Sequence, residues 1–145
     1  MSIDGVTLGP FVLRDRVGRG AAGEVFLAEH DGQGVQVALK VLSRTDGWER
    51  KHLERFQAEV KAMAELHHHG VVMVFDCGTV NLDASADSGG KLQAGAPYFA
   101  MELARFGSLH AIRGDLSFHS VRSILLVILE SLAHAHAHGV VHRDV

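Results

Sequence analysis

Four places in this sequence carry residue types whose spacing could do chemistry. "GRGAAG" at 18–23 sets Gly18, Gly20 and Gly23 in a G-x-G-x-x-G pattern. Backbone without Cβ atoms can fold closely over an anion there, its amides pointing inward. Seventeen residues past Gly23, "VALK" places the cation Lys40 inside an apolar run. Glu59 follows in "RFQAEV", close to the apolar positions Phe56, Val60 and Met63. A carboxylate so near an apolar face is costly unless paired, and Lys40 is the expected partner. The chain closes on "HGVVHRDV", where Asp144 could accept a proton. Each group is weak alone. Glycine-rich turns are common, a lone strand lysine is usually solvated, and a final His-Arg-Asp is by itself a charged tail.

The elements that must position these groups can be read from periodicity. Residues 11–42 alternate as three strands, "FVLRDRV", "EVFLAEH" and "VQVALKVL", with "DGQG" as a hairpin turn between the last two. The segment after the glycines is therefore a strand, with Val25 and Leu27 on one face, and the glycines sit at a hairpin tip. A dinucleotide-binding oxidoreductase would need a helix there, which argues against that reading. Residues 48–66 carry apolar side chains at 53, 56, 60, 63 and 66, the spacing of an amphipathic helix. "VVMVFDCGTV" and "PYFAMEL" read as strands, and the small, polar 81–96 between them as a flexible hairpin extension. "ARFGSL" reads as a connector, and 117–138 as a helix capped by Ser117 and apolar all round at 124–129. A helix of that kind expects partners on every side.

Glycine hairpin, strand lysine and helix glutamate in this order resemble the protein kinase superfamily, most nearly bacterial kinases of the eukaryotic Ser/Thr type. "GRGAAGEVFLA" is similar to the glycine-rich loop, "VALK" to the lysine strand, and "ELHHHGVVMVFDCG" to the segment after the first helix. "YFAMELARFGSL" resembles the hinge and "ESLAHAHAHGVVHRDV" the approach to the catalytic loop. The resemblance implies an α+β fold: a small lobe of antiparallel sheet plus one helix over residues 11–103, then the hinge end and first helices of an incomplete helical large lobe over 104–145. It implies ATP held by Val17, Gly18, Arg19, Gly20, Ala21, Ala22, Gly23, Val25, Ala38 and Lys40. Met101 would be the gatekeeper, and the backbones of Glu102 and Ala104 would meet the adenine edge. Lys40 would grip the α- and β-phosphates, Glu59 would hold Lys40, and Asp144 would be the catalytic base. Two positions depart from the family: the hairpin tip is Ala21–Ala22 with no bulky residue, and His69 stands where proline is usual. The positions that hold Mg2+ in the family would fall beyond Val145. The expected function is therefore the ATP-binding part of a Ser/Thr protein kinase, with the 145 residues inactive by themselves. The alternative is a non-catalytic nucleotide-binding or interaction module.

Bulk properties agree. At 145 residues, 47% hydrophobic and 21% charged, the chain holds one core or part of one. A net charge of −3 with scattered basic residues argues against nucleic acid as a partner. The single cysteine, Cys77, excludes an intrachain disulfide and fits a cytoplasmic setting, as does a start without a signal peptide. No apolar run reaches a membrane span, so no membrane contact is expected, though the apolar terminal helix invites self-association. The 11 histidines, among them His67–His69, His134, His136 and His138, hint at a metal. No cysteine or well-placed carboxylate is seen to complete a set, so no metal site is expected.

Overall fold

The computed structural model describes residues 3–20, 22–43 and 49–141. Six strands form one antiparallel sheet: β1 (Thr7–Leu8), β2 (Phe11–Gly20), β3 (Gly23–His30), β4 (Gln36–Leu42), β5 (Val74–Thr79) and β6 (Pro97–Met101). Their spatial order is β1-β2-β3-β4-β6-β5. The helices are α1 (Arg50–Ala64), α2 (Leu82–Asp87), α3 (Leu109–Ile112) and α4 (Phe118–Ala137). The alternation expected of 11–42 is realised, and β1 adds a short edge strand that its two residues could not announce.

Side-chain alternation divides the sheet into two faces, each with its own core. Phe11, Leu13, Phe26, Ala28, Val37, Leu39, Val41, Tyr98 and Ala100 fill one face. The other carries Phe99 and Val74, over which α1 lays Val60, with Phe56 and Met63 beside it. The rings of Phe56 and Phe99 lie 6.1 Å apart, tilted by 44°. This is the apolar stripe read from the 53–66 spacing, and it fixes α1 across β5 and β6. Strand β4, covered on both faces, buries Val37, Ala38, Leu39 and Val41 in near-continuous succession.

Residues 81–96 are not the flexible extension that their composition suggests. Asn81 Oδ1 accepts from Ala84 N–H at 2.7 Å and caps α2. Ser88 is fully buried; its hydroxyl donates to Ser85 O at 2.7 Å and accepts from Leu92 N–H at 3.1 Å. Paired bonds between Val80 and the 95–96 backbone, both 2.8 Å, close the neck of the connector. Ala84, Leu92 and Ala96 thereby join the first core. Burial of small side chains, with the Asn81 and Ser88 polar groups satisfied, overrides the loop-like composition.

Helix α4 begins as expected, Ser117 Oγ accepting from Ser120 N–H at 3.1 Å. Only Ser131 and Ala135 are buried along its 20 residues. Its length and composition, with a mean hydropathy of 1.2 over its most apolar window, would suffice to cross a membrane. The segment after α1 packs directly on it: a Cβ at Gly70 would run into Ser131 Oγ and Val127 Cγ1, so a side chain there would force these α4 side chains to shift.

Candidate nucleotide site

The register of the sheet decides which predicted residues share a surface. In antiparallel strands, directly opposed residues project to the same face. Gly18 opposes Val25, Val25 opposes Lys40, and Lys40 opposes Phe99. One step along, Leu27 opposes Ala38, which opposes Met101. Val25, Ala38, Lys40 and Met101 thus lie on one face, beneath the hairpin that carries the glycines. Leu27 belongs to the same surface, a residue that strict alternation from Val25 already marks.

The hairpin is shaped for close approach. Gly20 opposes Gly23 at its tip, and two register slips bend β2 between Leu13 and Gly18. Val17 falls within the second slip and is 56% exposed. Gly23 has φ +144°, and a Cβ there would sit 2.1 Å from Val41 O. No side chain fits, so this glycine is required by the sheet itself. Glu24 ties the stem together, accepting from Arg16 at 3.1 Å and pairing with Arg19 at 3.5 Å. Ala22 is an exposed turn residue, and Ala21 lies outside the described residues.

At the far end of β6, Glu102 N–H donates to Met73 O at 2.8 Å, and Ala104 O accepts from Gly107 N–H at 3.2 Å. Among the described residues this leaves Glu102 C=O and Ala104 N–H without partners. An acceptor and a donor two residues apart can read the edge of a flat heterocycle.

The expected pairing of Lys40 with Glu59 is not formed. Glu59 turns to solvent, 58% exposed, and pairs with Arg55 of its own helix at 3.4 Å. With its charge solvated, nothing in this conformation compels a bond to Lys40. Among the described residues no ion pair joins the two. Asp144, like His142 and Arg143, lies outside the described residues. Cys77 is half-buried, and burial first, then the neighbouring Asp76, pushes its thiol up, away from the thiolate form.

A glycine hairpin over a lysine strand, leading through β6 to a connector with free backbone groups, defines the small-lobe class of phosphotransferase folds. A sequence profile of the protein kinase domain matches residues 11–145. The chain belongs to the protein kinase family. It is 36% identical over 142 residues to the serine/threonine-protein kinase Pkn1 of Myxococcus xanthus, covering 97% of this chain and 19% of that protein. Identity to PknA of Mycobacterium tuberculosis is 32% over 145 residues, covering 97% of this chain and 32% of the relative. The crystal structure of the PknI kinase domain from Mycobacterium tuberculosis superimposes with a TM-score of 0.76 at 28% identity. That superposition covers 98% of this chain and 53% of that one. The chain therefore spans a fifth to a third of these curated relatives and about half of a solved kinase domain. The profile match runs through α4, which places that helix within a kinase fold.

Proposed function

We propose that this chain is the ATP-binding part of a Ser/Thr protein kinase whose complete domain transfers the γ-phosphate of ATP to protein hydroxyl groups. The observation that carries the reading is the shared face of Val25, Ala38, Lys40 and Met101 beneath the glycine hairpin. In this reading Val17, Val25 and Ala38 enclose the adenine ring, with Met101 at its back. Glu102 C=O and Ala104 N–H bond its edge. The amides of Gly18, Arg19, Gly20, Ala21, Ala22 and Gly23 cover the phosphates, and Lys40 neutralises them. Glu59 is the positioning residue for Lys40, reached when α1 rotates and Arg55 releases it. Asp144, by its place in the resemblance, orients and deprotonates the acceptor hydroxyl. In this reading the positions that hold the family's Mg2+ would fall beyond Val145. The compartment that fits this reading is the cytoplasm.

Lys40→Met is expected to weaken binding of a fluorescent ATP analogue by roughly 10- to 150-fold, equal to the loss of a charged hydrogen bond of about 1.5–3 kcal/mol. Direct titration of both proteins checks it. Equal affinity would place the nucleotide elsewhere.

A second reading, a nucleotide-binding or interaction module without transferase activity, applies to the 145 residues taken alone, which contain no Asp-Phe-Gly triplet. Radiolabelled ATP with a generic protein acceptor separates the two. No transfer above background is expected from the pure 145-residue chain, because the γ-phosphate is neither neutralised nor aligned. Transfer abolished by Asp144→Asn would overturn that expectation.

A further inference from the structure

Away from the nucleotide face, the loop after α1 and one stripe of α4 bring together an unusual set of side chains. Glu130 and His134 on α4 and His138 at its C-cap follow one another at four-residue steps and so share a face. Against that face lie His68 and His69, their rings stacked at 4.4 Å. His68 also meets the His134 ring at 5.3 Å, and His134 meets His138 at 4.4 Å. The close approach of Gly70 to Ser131 holds the loop on the helix. One donor atom each from His68, His69 and Glu130 lies within 4.8 Å of the others.

We propose that His68, His69 and Glu130 bind one divalent transition-metal ion of the zinc class, clipping the loop after α1 to α4. Two imidazoles and a carboxylate favour zinc, cobalt or nickel over magnesium or calcium, and three protein donors leave a fourth position for water. Bonds of about 2.0–2.1 Å require donor atoms to draw in to about 3.3 Å of one another. His69 and Glu130 are exposed and can swing by that amount.

The neighbouring groups suit a metal's surroundings. His68 Nδ1 lies 3.2 Å from Ser131 Oγ, and the Ser131 hydroxyl donates to Val127 O at 2.6 Å. A proton on Nδ1 given to Ser131 Oγ frees Nε2 for the ion and orients the ring. That tautomer gives up the bond from Gly70 N–H, 3.1 Å away, that the metal-free form makes. His134 Nε2 is shielded from solvent and has no hydrogen-bond partner among the described residues.

The test is a Co2+ titration of the 145-residue chain, purified without a histidine tag and followed by visible absorption, then Zn2+ displacement. One equivalent with an intense tetrahedral-type band is expected. Glu130→Gln and His69→Ala, both at exposed positions, should each weaken binding tenfold or more with unchanged circular dichroism. His119→Ala, on the first turn of α4, should bind as the parent does. The proposal fails if neither site variant weakens binding, if His119→Ala weakens it equally, or if no binding is found below millimolar Co2+.

Discussion

Ending the chain after Gly107 is expected to give a monomer at concentrations where the 145-residue chain self-associates, with a melting midpoint within a few degrees of the parent. Both core clusters draw all their members from residues up to Met101. Helix α4 therefore adds little to the small lobe's own packing. It leaves Leu125, Leu126 and Leu129 at 52%, 45% and 61% exposed, with Phe118 at 85%. Full burial of such side chains is worth about 1.5–3 kcal/mol each. Scaled by the exposure that remains on these four, a partner surface offers about 4–7 kcal/mol. Two such helices facing each other would offer twice that, to be set against an association cost of about 4–15 kcal/mol. Sedimentation of the two lengths, with thermal melts on each, checks it. A monomeric 145-residue chain whose amides at 124–132 resist exchange would refute it.

Phe26→Ala is expected to cost about 3–5 kcal/mol, a large fraction of the roughly 5–15 kcal/mol that holds a typical domain folded. Phe26 is 2% exposed in the middle of β3, opposing Leu39 across the sheet. It belongs to the core cluster that also holds Val80, Ala84, Leu92 and Ala96 of the connector. Urea unfolding followed by fluorescence gives the number. The same substitution at Phe106, 99% exposed, should change stability by no more than about 0.5 kcal/mol.

The parts of this fold that the sequence announces are those where one residue pattern serves one packing surface. Strict alternation in β3 put Val25 and Leu27 on a common face, and the register bears that out. The stripe from Leu53 to Leu66 located α1 because its three- and four-residue steps answer to a single sheet face. The connector was misread for the opposite reason. Val80, Ala84, Ser88 and Leu92 recur every four residues, but two of them are small and one is polar. Hydropathy does not register a serine that is buried because its hydroxyl closes the local backbone. Glu59 shows another limit. Its position beside Phe56 and Val60 suggested a forced pairing, yet a long side chain at the margin of the stripe reaches water and a neighbouring arginine. No sequence pattern sets Glu130 beside the histidines of the loop, because only the packing of that remote loop on α4 brings His68 and His69 near it.

The inward fold of the connector decides where foreign sequence can be spliced into this lobe. By composition, 81–96 is the obvious place for a reporter or an affinity handle. Its turn at Lys91, Leu92 and Gln93, however, borders a hollow of about 380 Å³ with Arg19, Gly20 and Glu24 near the tip of the glycine hairpin. A graft there would pry Leu92 from the core and disturb the neighbouring glycine hairpin. The tight turn 31–34 is the better graft point. Its four residues are all exposed, and Gly32 and Gly34 already adopt left-handed backbone without contact to the sheet's interior.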